Sequence, residues 1–443
     1  MSQAIDIAGY MDARKFGAFN WKLMALSFLV MLIDGFDVTL AAFAVPHWIS
    51  EWHVQPSAFG PVLGASLLGI LFGSPLFGFL GDRYGRKIAI VLSYLTFGIA
   101  TIMVAWSGSV TQVAVLRVIA GIGIGGVLPN IVALNMEFAP RRLAATAIIL
   151  SFVGIAFGGA LPAPVAIYLV PLYGWPILFI VGGGIPLIIG GFIALWLPES
   201  IRFLTLKDRQ ADVAKLVKLM DPDKSLPEAT RFFIRGEEKH LPFKFLFSGS
   251  LAIMTPLLWF LFSLDMMVYF FLVSWMPTLL AGAKISLTKA AVATAIFQFG
   301  GVVGPVSVAR PIDRFGMMPI LLCFFLGVPI IGGIGYIGLQ SNSQLFVLVF
   351  LAGFCTLGSQ MGLNAITAIL YPTALRSTGS GWAFGVGRVG SIIGPVVGGL
   401  IIGKFDVQHL YIFAAIPFIV AAGACFIMMR MFSARQRLVS TPQ

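Results

Sequence analysis

The chain has 443 residues, 58% of them hydrophobic and only 11% charged, with 29 Lys and Arg against 18 Asp and Glu and a net charge of +11. So apolar a composition excludes an ordinary soluble fold and identifies a polytopic helical membrane protein, because the apolar residues fall in long blocks rather than in narrow stripes. The positive charge then has to be explained by membrane topology before nucleic acid is considered.

Twelve blocks are long enough to span a bilayer: 21–45, 58–80, 88–106, 112–137, 144–170, 174–197, 249–280, 287–309, 318–339, 344–371, 378–403 and 408–431. The first is of full spanning length and carries no small-residue cleavage site after a short core, so it reads as a span and not as a cleaved leader. Within it stand Asp34 and Asp37, whose i, i+3 spacing puts both carboxylates on one helical face about 4.5 Å apart along the axis. An acidic side chain at the centre of the hydrocarbon costs roughly 2.5–3.5 kcal/mol even on a lenient insertion scale, so it persists where it faces a polar cavity, a partner or a moving proton. The simplest reading is a proton-handling site in a transport protein. A buried ion pair that only locks helices together is the alternative.

Between spans 2 and 3 the chain reads Gly78-Phe79-Leu80-Gly81-Asp82-Arg83-Tyr84-Gly85-Arg86-Lys87, and a degraded copy, Ala309-Arg310-Pro311-Ile312-Asp313-Arg314-Phe315-Gly316, recurs between spans 8 and 9. The same loop at equivalent places indicates an internal repeat of two six-span halves, a common plan for secondary transporters. The expected organisation is residues 1–197, a polar segment 198–244, and residues 245–443. The polar segment carries ten Lys and Arg, and from Leu206 to Met220 its apolar residues have helical spacing, which suggests a helix lying along the membrane surface.

With both termini on the cytoplasmic side, Lys284, Lys289 and Lys404 are the basic residues of the outer loops and Arg117 and Arg388 those inside spans; the rest of the 29 lie on the inner side. That skew is the positive-inside rule, and it removes the nucleic-acid reading. Cys323, Cys355 and Cys425 fall in spans without metal-ligand spacing and read as small packing residues. His47, His53, His240 and His409 sit in loops or at span ends. No nucleophile–base pair, metal cluster or nucleotide loop is apparent, so neither an enzyme nor a bound cofactor or metal is expected.

The loop after span 2 matches the G-x-L-x-D-R-x-G-R-K signature of the major facilitator superfamily at every defined position, and Arg117-x-x-x-Gly121-x-Gly123-x-Gly125 in span 4 is similar to its second motif. Gly390-x-x-x-Gly394-Pro395-x-x-Gly398-Gly399 in span 11 is similar to a glycine–proline motif usually placed in span 5. Such small residues let helices approach closely, which is reason enough for them in a bundle. Within the superfamily, Asp34-Gly35-Phe36-Asp37 resembles the D-G-x-D signature of the aromatic acid/proton symporters. Glu137 at the end of span 4, Trp275-Met276-Pro277-Thr278 in span 7, Tyr371-Pro372-Thr373, Arg376 and Arg388 extend that resemblance over most of the chain. Two features depart from the pattern: Met317 and Met318 replace the basic pair of the first loop, and Ala309 replaces its opening glycine. Pro198-Glu199-Ser200-Ile201-Arg202 is similar to a motif shared with sugar and organic-ion porters, but the tail after span 12 lacks the P-E-T-K-G motif of sugar porters.

The resemblance implies an all-α fold of twelve transmembrane helices in two pseudo-symmetric halves, with spans 1, 4, 7 and 10 around a central cavity. It also implies an inner-membrane carrier that takes up a small aromatic carboxylate with protons, without nucleic-acid partners and as a monomer; a porter of another organic anion is the alternative. On this reading Asp34 and Asp37 carry the proton. Arg117 and Arg388 hold the substrate, because a planar guanidinium keeps its charge and matches a carboxylate. Tyr269, Trp275 and Trp382 are candidate ring contacts, and Gln360 and Asn364, at i, i+4, candidate hydrogen-bonding partners of ring substituents. Asp82, Arg83, Arg86, Glu137, Arg141, Arg142 and Arg376 form a candidate gating cluster on the inner side. Asp265, midway along span 7 and outside the family pattern, is a candidate for substrate preference or a further proton site.

Overall fold

The computed structural model describes residues 4–14, 17–140, 151, 153–221, 230–234 and 242–440. Arg141 and Arg142 therefore lie outside the described residues. Among the described residues, twelve helices are long and apolar enough to cross a membrane. Spans 1 to 6 are Ala18–Trp52, Pro56–Tyr84, Arg86–Val104, Val110–Phe138, Val153–Tyr173 and Pro176–Trp196. Spans 7 to 12 are Leu251–Gly282, Leu287–Phe315, Met318–Gln340, Asn342–Leu370, Thr378–Ile401 and Val407–Phe432. Each overlaps its expected block, with ends that differ by up to seven residues, and the first part of the fifth block, 144–150, lies outside the described residues. Span 1 runs seven residues further than its apolar run, through Pro46, because Trp48 and Trp52 stack on Phe59 and on one another, and Trp48 stacks on Phe179. That aromatic packing outweighs the lost backbone donor, and proline inside a membrane helix is ordinary where neighbours compensate.

The chain is an integral membrane protein built as two six-helix halves. An even number of spans puts the N-terminus, the segment between the halves and the end of span 12 at one face, here termed the terminus side. Residues Ala4–Asp6 (β1) and Arg231–Phe233 (β2) form a short parallel pair there, and Arg14 donates to the carbonyl of Met220 at 2.7 Å. The helix Gln210–Met220 has the expected periodicity, but Val213, Val217 and Met220 pack on Ile7, Met11 and the terminus-side end of the first half. Its apolar face meets protein rather than lipid, because the N-terminal segment folds back beneath it.

The apolar core divides in an informative way. One cluster holds the terminus-side parts of spans 1 to 4 and 6. The other runs from Leu40, Trp48, Val62, Val113 and Phe179, at the far ends of the first six spans, straight into the second half. The halves are thus fused by apolar packing on the far side and hold separate cores on the terminus side. Spans 2 and 11 seal that far side, where a Cβ on Gly399 would lie 2.7 Å from the Cα of Gly60 and one on Gly60 would lie 3.1 Å from the carbonyls of Pro395 and Val396. Two backbones in contact leave no room for a side chain. Replacing Gly399 by Val is accordingly expected to push the far-side ends of spans 2 and 11 apart. Spin labels at the exposed positions Gln55 and Lys404 should report a longer distance in that variant than in the wild type, and an unchanged distribution would show that the seal lies elsewhere.

Candidate functional site

The close approach of spans 2 and 4 creates a deeply buried polar cluster. Gly121 faces Ser66 so closely that a Cβ would meet the Ser66 carbonyl at 2.0 Å, and this contact brings the Ser66 hydroxyl to span 1, where it donates to Asp37 Oδ2 at 3.1 Å. Arg117 completes the group with both terminal nitrogens on the Asp37 carboxylate, one to Oδ1 and one to Oδ2 at 3.1 Å. Asp37 and Arg117 are each 2% exposed. A carboxylate with a two-pronged guanidinium and a hydroxyl has its charge balanced and its lone pairs used. The expectation that Arg117 holds substrate meets a different arrangement here: its two terminal nitrogens are committed to Asp37, and its Nε is buried without a partner.

Asp34, one turn earlier, stands otherwise. It is half-buried near the middle of span 1 and makes no ion pair or hydrogen bond among the described residues. Its charge is felt by Arg388 of span 11 and by Tyr269 of span 7, and in turn feels Asp37. Arg388 is also half-buried near mid-depth, and its guanidinium too has no bonded partner among the described residues. Opposite charges from the two halves thus lie within electrostatic reach of one another without joining. Tyr269, fully enclosed, donates its hydroxyl to Gln298 Oε1 at 3.4 Å. Gln298 leaves its Nε2 without a partner, beside Gly159 of span 5. In span 10, Asn364 has a buried Oδ1 without a partner, and Gln360 is half-buried four residues before it.

Two of the aromatic candidates sit away from Asp34 and Arg388. Trp275 is fully buried toward the far end of span 7 and donates its indole N–H to the Pro395 carbonyl at 2.9 Å. It packs spans 7 and 11 together. Trp382 is 48% exposed and stacks on Trp259 with ring centroids 5.9 Å apart, about 9 Å along span 11 from Arg388 toward the terminus side at 1.5 Å per residue.

On the terminus side, Arg86 joins Asp82 at 3.0 Å and Glu137 at 3.2 Å and reaches Asn130 Oδ1 at 3.4 Å. Glu137 also accepts from the Ser200 hydroxyl at 2.5 Å, while Glu199 accepts from the backbone of Lys87 at 3.2 Å. Gly85, at φ +111, turns the chain tightly enough to let the Glu199 carboxylate sit where a side chain would project. All of these residues belong to the first half or to the segment that follows it. Arg83 points away, over the rings of Phe79 and Tyr84, and Arg376 is exposed at the start of span 11 with no ion pair among the described residues. In the repeated loop, Arg310, Asp313 and Arg314 make no ion pair among the described residues. The missing basic pair therefore coincides with a missing network.

Comparison with known proteins settles the class. Residues 27–339 match the family model described as Major Facilitator Superfamily. The chain is 33% identical over 412 residues to the 4-hydroxybenzoate transporter PcaK of Pseudomonas putida, covering 91% of each chain. It is likewise 33% identical to a gallate transporter of the same organism, covering 90% of this chain and 89% of that one. The protein belongs to the major facilitator superfamily, and within it to the aromatic acid/proton symporter family. Its backbone is similar to the crystal structure of a bacterial homolog of the human lysosomal transporter Spinster, with a TM-score of 0.73 at 15% identity over 95% of this chain and 99% of the other.

Several residues of the candidate site carried no sequence signal. Ser66 and Gln298 are single polar residues in apolar helices, at no diagnostic spacing. Glu199 and Ser200 did stand in a recognisable motif, but only folding shows that they complete the Arg86 network. Breaking the Asp37–Arg117 pair by removing one partner strands a buried charge, which costs about 3–5 kcal/mol. Arg117→Ala is therefore expected to lower thermal stability in detergent strongly, and Arg117→Gln combined with Asp37→Asn to recover much of the loss. A double variant no more stable than Arg117→Ala would show that the pair is not self-contained.

Proposed function

We propose that this symporter family member imports a small aromatic carboxylate together with protons, from the benzoate, hydroxybenzoate or protocatechuate class, across the inner membrane with both termini in the cytoplasm. The observation that carries the reading is the unjoined pair of opposite charges, Asp34 and Arg388, within electrostatic reach of one another from opposite halves. The relatives named for 4-hydroxybenzoate and gallate transport support the substrate class.

The chemistry follows from charge balance. While Asp34 is ionised it offsets Arg388, and an arriving substrate carboxylate would bring a second negative charge into a poorly solvated space. Once Asp34 is protonated, the substrate carboxylate takes over the balancing role at Arg388. Proton and substrate binding are then mutually favourable, and each raises the affinity for the other by the same factor. Tyr269 and Phe270, whose rings meet edge to face at 5.0 Å between centroids, supply apolar wall and ring surface on span 7. Gln360, Asn364 and the free amide of Gln298 are candidates to read ring hydroxyls. Asp37, paired with Arg117, holds span 1 in place. The far-side seal and the separate terminus-side cores fit a state in which substrate exchanges with the cytoplasm, and rocking of the halves exposes the same space to the other side. The Arg86 network keeps the first half rigid during that motion.

Substrate affinity is therefore expected to rise as the pH falls, because protonation of Asp34 precedes binding. Asp34→Asn should bind with little pH dependence and lose gradient-driven accumulation in proteoliposomes. Arg388→Lys, which keeps the charge but loses the fork, should weaken binding tenfold or more, or ~1.4 kcal/mol. A panel of benzoate, hydroxylated and methoxylated benzoates, aliphatic acids and sugars, competed under an imposed pH gradient, tests the class directly. Equal competition by aliphatic acids would replace the aromatic assignment with a general organic-anion porter, and concentrative uptake by Asp34→Asn would remove Asp34 from the proton path.

A further inference from the structure

Asp265 has 0% exposure and stands midway along span 7. Its Oδ1 lies 2.5 Å from the Ser359 hydroxyl of span 10, and its Oδ2 has no partner among the described residues. The Ser359 oxygen is also 2.8 Å from the carbonyl of Cys355 and 2.9 Å from that of Thr356. A serine hydroxyl owns one hydrogen and two lone pairs. Were Asp265 a carboxylate, that single hydrogen would face three acceptors, and the carboxylate would be left with one shared bond, one bare oxygen and no cation. The titratable neighbour is the thiol of Cys323 from span 9, with the thiol of Cys355 from span 10 beside it, and a thiol cannot supply a positive charge. Span 8 offers Gln298, and the cation of span 11, Arg388, faces Asp34. The bonding closes in one way: Asp265 carries a proton on Oδ1 and donates it to Ser359, which donates its own hydrogen to the backbone carbonyl of its preceding turn.

The position of this pair sharpens the point. By the repeat of six spans, spans 7 and 10 are the counterparts of spans 1 and 4, which are joined by Asp37 and Arg117. Both halves hold a mid-depth acid on the first of these helices against a polar residue on the second. In the first half an arginine neutralises the acid, and in the second a proton does. A permanent arginine gives a fixed pair, whereas a proton can leave.

We propose that Asp265 is a second proton-binding site of the transport cycle, loaded in the conformation described here. The proposal rests on the reading of this chain as a proton-coupled carrier. Rocking of the halves that exposes the span 7–span 10 contact to the central water lets the Oδ1–H proton pass to that water. The carboxylate left behind is solvated until it is reloaded.

Two measurements on the full-length protein reconstituted in lipid test this. Infrared spectra at neutral pH without substrate should show a carboxylic-acid C=O band that Asp265→Asn removes. The proton-to-substrate ratio, taken from the opposing substrate gradient that halts flux at a fixed pH gradient, should fall by one proton in Asp265→Asn. A wild type without proton coupling would sink the carrier reading itself. A coupled wild type whose ratio is the same in Asp265→Asn, or whose spectrum lacks the band, would overturn the assignment of Asp265 alone. If Asp265→Asn does not fold, Ser359→Ala serves, since loss of the acceptor should shift the band to higher frequency, and an unshifted band overturns the proposal equally.

Discussion

The contact between Asp37 and Arg117 organises the first half of this protein. In a bilayer an unpaired carboxylate or guanidinium at this depth is costly, so each side chain is tolerated because the other is present. Their meeting requires spans 1, 2 and 4 to converge at mid-depth, and the backbone of span 2 approaches span 4 closely because Gly69, Gly73 and Gly121 have no side chains. The same approach delivers Ser66 to the carboxylate. One ionic contact thereby fixes three helices, and with them the height of Asp34 one turn away.

Fixing Asp37 gives Asp34 its distinct character. Two carboxylates on one helical face would interfere with each other if both were free. With Asp37 paired to Arg117, the environment of Asp34 is set first by its burial and then by Arg388 across the gap. On the proposed function, a single turn of helix separates the residue assigned to proton exchange from the one that supports the structure. The second half repeats the plan with a different neutraliser at Asp265, and its loop between spans 8 and 9 lacks the ion pairs of the loop between spans 2 and 3. The halves share a fold while dividing the electrostatic work unequally.

The conformation is set by where apolar surface is shared. Trp48, Phe59, Trp175 and Phe179 pack together at the far side, and their cluster continues across into the second half. The terminus side has no such shared core, and its polar network around Arg86 and Glu137 stays within the first half and the segment after it. Packing of the Gly60–Gly399 kind is lost abruptly on separation, because dispersion falls off within an ångström or so. Contacts of that sort give two discrete arrangements rather than a continuum.

How much of this was legible beforehand depends on the range of the physics involved. Span number and the internal repeat follow from local hydropathy and from one loop motif, since a helix in lipid must satisfy its own backbone and needs about twenty apolar residues to do so. Asp34, Asp37, Arg117 and Arg388 were conspicuous for the same reason, as charges where charges are expensive. Their pairing was not, because i, i+3 spacing treats Asp34 and Asp37 alike, and only the arrival of spans 2 and 4 commits one to Arg117 and leaves the other open. Trp275 and Trp382 show the same limit: aromatic character is written in the sequence, but whether a ring faces a cavity, a neighbouring helix or lipid is decided by helix rotation and depth. Ser66, Gln298 and Ser359 carry no local signal, since a hydroxyl or an amide gains its role from what lies within 3.5 Å of it. The amino-acid sequence by itself determined the class of molecule and the cost of its buried charges; the tertiary structure alone decided which charges neutralise one another, because that depends on contacts between helices far apart in the chain.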